Sequence, residues 1–91
     1  MKYLVEGYCE TRPGFFKRWV TSHEETSLEA AAVARKLAHE ADQKELNGAV
    51  YVRAGGEWIV YFAHGFCPSW LGHTLRSAER DEALGELEAY E

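Results

Sequence analysis

Residues 49–63, AVYVRAGGEWIVYFA, constrain this chain more than any other stretch. Gly55-Gly56 is the pair that tolerates the positive φ angles of a two-residue type I′ or II′ turn, and the runs beside it are β-branched and aromatic. With those glycines as the loop, unbroken pairing sets Arg53 opposite Trp58, Val52 opposite Ile59, Tyr51 opposite Val60 and Val50 opposite Tyr61. Alternation then puts Val50, Val52, Ile59 and Tyr61 on one face, and Ala49, Tyr51, Arg53, Trp58, Val60 and Phe62 on the other. Both faces are apolar. Such a ribbon has to be covered on both sides or has to present an aromatic face to another molecule.

The rest of the chain supplies elements to cover it. Residues 2–9 and 15–22 are rich in aromatic and β-branched types, with the turn signal Arg12-Pro13-Gly14 between them, and predict a first hairpin. A trans Pro-Gly pair favours a type II turn, whose twist suits a two-residue hairpin poorly, so the connection is expected to be longer and to lie within residues 10–14. Thr26-Ser27-Leu28-Glu29 fits a capping box, with the Thr26 hydroxyl accepting from the Glu29 amide and Glu29 reaching back to the amide of Thr26. Ala30, Val33, Ala34, Leu37 and Ala41 recur on one face of the helix that follows, and Asn47-Gly48 supplies a residue to end it. Residues 75–90 predict a second helix, with Ala83, Leu84, Leu87 and Tyr90 on one stripe and Glu79, Glu82 and Glu86 along another side. The expected fold is α+β in ββαββα order, a four-stranded antiparallel sheet with two helices packed on it, forming a single domain over residues 1–91.

Charge narrows the function classes. All ten Lys and Arg lie at or before Arg80, while Asp81, Glu82, Glu86, Glu88 and Glu91 follow it, so the formal charge of −5 sits at the C-terminal end. That distribution argues against direct binding to nucleic acid or to an anionic membrane, because counterion release needs cations facing the phosphates. It suits a protein partner with a basic surface. No apolar run approaches the roughly 18 residues of a spanning helix, and the first residues carry no signal-peptide core. Cys9 and Cys67 make at most one bridge and read as free thiols, so the expected location is the cytoplasm.

Three constellations suggest chemistry. Cys9, His64, Cys67 and His73 have the residue types of a tetrahedral zinc shell; the plainer account is a small buried Cys9, a half-exposed Cys67 and two surface imidazoles. Cys67, or Ser69 with His73 four residues on, could serve as a nucleophile. There is no nucleophile elbow, phosphate loop or HExxH motif beside them, and both aspartates, Asp42 and Asp81, fall on helical surfaces, as His23 and His39 fall among solvated residues. Arg12, Lys17 and Arg18 beside Phe15, Phe16 and Trp19 resemble a single-strand-binding mixture, for which pairing with Glu10 or the acidic tail is the plainer account.

The reading that results is a non-enzymatic protein-interaction module with no cofactor and no metal. Its two expected surfaces are the sheet face of Tyr51, Arg53, Trp58 and Phe62, with Arg53 stacked on Trp58, and the acidic helix carrying Asp81, Glu82, Glu86 and Glu88. In size and charge such a chain is similar to the small inhibitors with which phages occupy a basic, nucleic-acid-binding surface of a host machine. The alternatives are a zinc- or thiol-dependent protein built on Cys9, His64, Cys67 and His73, and a homodimer through the aromatic sheet face. A competing expectation is that Trp70, Leu71 and Leu75 fold back over that face and close it internally.

Overall fold

The computed structural model describes residues 2–68, 71 and 79–90. Ser69, Trp70, His73 and Leu75, which carry several of the expectations above, lie outside the described residues. The elements follow in the order β1 (Tyr3–Arg12), β2 (Phe15–Glu24), α1 (Ser27–Gln43), β3 (Gly48–Ala54), β4 (Glu57–His64) and α2 (Arg80–Glu88). The strands form one antiparallel sheet in the order β2-β1-β3-β4, and both helices pack on the same side of it.

The first hairpin closes more tightly than its sequence suggests, with only Pro13 and Gly14 between the strands. Gly14 has φ 83°, the value the third residue of a type II turn demands. The misfit in twist is absorbed by a register shift between Glu10 and Arg12, which leaves Thr11 as an extra residue in β1. A second shift, between Gly7 and Tyr8, leaves Trp19 unpaired in β2, and Trp19 and Val20 both pack against the core. Gly7 makes room for them: a Cβ there would stand 2.7 Å from the Trp19 indole nitrogen and 2.8 Å from a Val20 methyl.

Helix α1 starts at the expected cap. The Thr26 hydroxyl accepts from the Glu29 N–H at 3.1 Å and donates to the Glu29 carboxylate at 2.9 Å, so the carboxylate reaches the cap's hydroxyl rather than its amide. Its end is not where Asn47-Gly48 would put it. Glu45 takes the left-handed conformation (φ 54°), the Leu46 N–H bonds to the Ala41 carbonyl at 2.9 Å, and Gly48 instead opens β3. Gly48 is needed there for a close approach, since a Cβ would lie 1.9 Å from the carbonyl oxygen of Tyr8. The buried side of α1 is Ala30, Ala31, Ala34, Ala38 and Ala41 around Leu37, small side chains that let the helix settle close to the sheet.

The central ribbon departs from expectation at one residue. Gly55 and Gly56 have φ 59° and 88°, as a I′ turn requires, and Arg53 faces Trp58. Ile59 is then a bulge: beyond it Val52 faces Val60, Tyr51 faces Tyr61 and Val50 faces Phe62. Everything after Ile59 is turned over relative to unbroken pairing. Val50, Val52, Ala54, Val60 and Phe62 therefore meet α1 and α2 in one core with Tyr3, Val5, Leu37, Ala83, Leu84 and Leu87. Phe62, expected on the partner-facing side, is 1% exposed within that core. Tyr61 takes its place on the opposite face.

Helix α2 buries Ala83, Leu84 and Leu87, while Tyr90 stays exposed with its ring edge-on to Tyr3 at 6.1 Å. Arg80 fastens it to α1 by a two-pronged pair with Asp42 (2.7 and 2.8 Å), and Arg35 reaches Glu88 at 3.3 Å.

Candidate interaction surfaces

The sheet face that carries neither helix is built by alternation from Leu4, Glu6 and Tyr8 of β1, Phe16, Arg18 and Thr21 of β2, Tyr51 and Arg53 of β3, and Trp58 and Tyr61 of β4. Tyr51 is its hub. The rings of Tyr8, Trp58 and Tyr61 lie 5.0, 5.3 and 5.4 Å from its centroid, and its hydroxyl donates to the Leu71 carbonyl at 2.5 Å. Burial and these neighbours leave Tyr51 3% exposed, so the expectation that it faces a partner is corrected: it is enclosed by its own chain. The expected fold-back holds for Leu71 to that extent.

What remains accessible is the rim. Trp58, Arg53, Tyr8 and Tyr61 are half-buried, and the Arg53 guanidinium lies 5.0 Å over the Trp58 ring, the cation–π stack that the turn predicts. Arg18 pairs with Glu6 at 2.9 Å, not with Glu10 or the tail; Glu6 is buried under this face and would be a costly lone charge without it. Arg12 stacks on Phe15 at 4.2 Å. Burial, and after it the nearby charge of Glu6, raises the Tyr8 hydroxyl above its ordinary pKa. Burial and the bond to Cys67 push Tyr61 up to about 12. Burial likewise raises Tyr51. All three stay protonated at neutral pH, so the face offers rings and hydrogen bonds rather than a base.

Asn47, which the sequence marked only as part of the end of α1, orders the end of this face. The Asn47 carbonyl accepts from the Glu10 N–H at 2.8 Å, its amide donates to the Glu10 carboxylate at 3.1 Å, and its side-chain oxygen accepts from the Phe66 N–H at 3.0 Å. Glu10 also accepts from the Gly14 N–H at 3.1 Å, and the Asn47 amide followed by that N–H holds its carboxyl below the ordinary range. The same junction leaves Phe66 60% exposed beside Phe16, ring centroids 6.4 Å apart.

The acidic surface is simpler. With Ala83, Leu84 and Leu87 turned inward, Asp81, Glu82 and Glu88 are exposed and Glu86 is half-buried. Arg80, the one cation within α2, is taken up by Asp42, and the same bond holds the Asp42 carboxyl low.

Of the expected zinc ligands, the three that are described, Cys9, His64 and Cys67, do not converge. Cys9 and His64 both lie opposite Gly48, on β1 and β4, whereas Cys67 accepts a hydrogen bond from the Tyr61 hydroxyl at 3.6 Å on the other face of the sheet. His73 is outside the described residues. No cluster of three or more His, Cys, Asp or Glu side chains suited to a metal is present among the described residues. Burial raises both thiols, so neither has the depressed pKa of a nucleophilic cysteine. His64 corrects the expectation of a surface imidazole: it is 2% exposed, one ring nitrogen lies 2.9 Å from the Leu46 carbonyl, and the other is buried without a partner among the described residues. Desolvation lowers its pKa. Its parity with Val60 and Phe62 would have placed it inside, had the bulge been legible. A pocket of about 350 Å³ lies beside it, lined by Ala63, Gly65, Glu79, Arg80 and Asp81.

Comparison with family models, with curated proteins and with solved structures finds no match to this chain. Among the described residues no helix is long and apolar enough to cross a membrane.

Proposed function

We propose that this chain is a non-enzymatic protein-interaction module that docks on a basic surface of a partner protein, as an acidic inhibitor of a nucleic-acid-handling machine does. One observation carries the reading: Asp81 and Glu82 face outward from a helix whose single cation is already paired, with half-buried Glu86 and Arg35-bound Glu88 on the same helix, so the negative charge is held on the fold instead of in a loose tail. The rim around Trp58 and Arg53 supplies a second, aromatic contact of the kind that dominates interface hot spots. Both cysteines are free thiols, which suits a reducing cytoplasm.

The test is affinity capture from the source cells with nuclease present, using the wild type, a Glu82→Lys/Glu86→Lys variant and Trp58→Ala. The reading expects a nuclease-resistant protein partner that the charge reversal loses and that Trp58→Ala weakens. Capture unaffected by either variant overturns it.

A further inference from the structure

The two outer strands of the sheet are β2 and β4. β2 runs ten residues and hydrogen-bonds to β1 alone, so among the described residues the backbone groups along its other side have no strand against them. Its register places Phe16, Arg18, Thr21 and His23 on the open face, and Lys17, Val20, Ser22 and Glu24 on the helix face, with Trp19 packed beside Val20. The bulge at Trp19 thus divides β2 into equal halves, residues 15–19 and 20–24, and the order of faces reads the same from either end. Charge does not. Lys17 and Arg18 occupy the first half, and Glu24, followed by Glu25, ends the second.

We propose that β2 is a self-association edge: it pairs antiparallel with β2 of a second copy about a two-fold axis between Trp19 and Val20, extending the sheet through both molecules. A bulge ordinarily throws an edge strand out of step with a newcomer, because one extra residue sends every later side chain to the wrong face. Here both copies insert that residue at the axis and the two shifts cancel. Phe16 then faces the partner's His23, Lys17 faces the partner's Ser22, and Arg18 faces the partner's Thr21, each on its own side of the sheet. Lys17 lies diagonal to the partner's Glu24 on the helix face, and the symmetry repeats that attraction. A parallel register would instead stack the cations on one another. The acidic α2 packs on α1 and β4, at the far edge, so the excess negative charge is kept from the axis. An isologous contact of this kind closes on itself at two copies through this edge.

Sedimentation velocity over a wide concentration range tests the pairing. The wild type is expected to form a dimer. Lys17→Glu and Glu24→Lys each turn two attractive diagonals into repulsive ones and are expected to weaken it by roughly tenfold. An equimolar mixture of the two variants restores both diagonals and is expected to dimerise like the wild type, which also shows that each variant is folded. Trp58→Ala is expected to leave the dimer intact, separating this edge from the aromatic face. A wild type monomeric at every attainable concentration, single variants that dimerise unchanged, a mixture no better than its components, or a dimer abolished by Trp58→Ala each overturns the proposal.

Discussion

Moving one hydroxyl between neighbouring residues decides whether the ribbon is bulged at Ile59. In the structure Phe62 is buried against α1 and α2, and Tyr61 lies on the opposite face with its hydroxyl bonded to Cys67 at 3.6 Å. Phe62→Tyr pushes a hydroxyl into a close-packed core and is expected to cost about 1–3 kcal/mol through desolvation and crowding. Tyr61→Phe removes only a long bond to sulfur and is expected to cost less than about 1 kcal/mol. Against a total stability of roughly 5–15 kcal/mol, the larger figure is a clear shift in the urea midpoint. Urea unfolding followed by tryptophan fluorescence, with equal m-values, reads both variants. An unbulged ribbon exchanges the two residues and reverses the order. Phe62→Tyr as stable as the wild type, with Tyr61→Phe clearly weaker, would refute the bulge and with it the assignment of the open face.

Other consequences are as direct. Gly7→Ala places a methyl 2.7 Å from the Trp19 indole and 2.8 Å from Val20, and is expected to lower stability by about 1–3 kcal/mol despite removing a flexible glycine; thermal unfolding should show the penalty shrinking in a Trp19→Ala background. Thr26→Ala removes the α1 cap and is expected to cost about 1 kcal/mol, largely recovered by Thr26→Ser, in the same assay. His64 titrates below the 6.5 of an unfolded imidazole, so its neutral form is carried in full above that pH. Stability is expected to fall as the pH drops from 6.5 toward the lower folded value, because the unfolded chain takes up a proton that buried His64 refuses. Comparing unfolding free energies of the wild type and His64→Gln between about pH 5 and 8 isolates that slope, and a flat difference would contradict it.

Much of the architecture is legible in the residues, and the parts that are not share one cause. Strand content, the Gly55-Gly56 turn, the Thr26 cap and the alanine face of α1 are local signals, set by conformations that particular residue types favour. Register is not local. Tyr61 and Phe62 have similar size and β preference, so nothing in composition distinguishes a ribbon with Ile59 in line from one with Ile59 as a bulge; the bulged ribbon is the one that puts Phe62 in the core with Leu84 and Leu87. The same holds at Thr11 and Trp19, where a turn's twist and the missing side chain of Gly7 move the pairing by one. The Arg53–Trp58 stack lies before the bulge and was readable; Phe62 lies after it and was not. Glu6 with Arg18, and Asp42 with Arg80, pair across 12 and 38 residues of chain, distances over which sequence carries no pairing signal.

The central claim is that the outward acids of α2, as distinct from its buried Ala83, Leu84 and Leu87, dock a basic partner together with the Trp58 rim. Its most direct test is calorimetric titration of the captured partner with the wild type, Glu82→Lys/Glu86→Lys and Trp58→Ala, with each variant's unfolding midpoint measured alongside. Binding is expected to be lost or strongly weakened, more so in low salt for the charge reversal, whose midpoint stays near that of the wild type, while Trp58→Ala lowers the midpoint only by its lost packing on Tyr51 and loses more binding than that accounts for. Wild-type affinity in both variants, or losses that merely track unfolding, would contradict it.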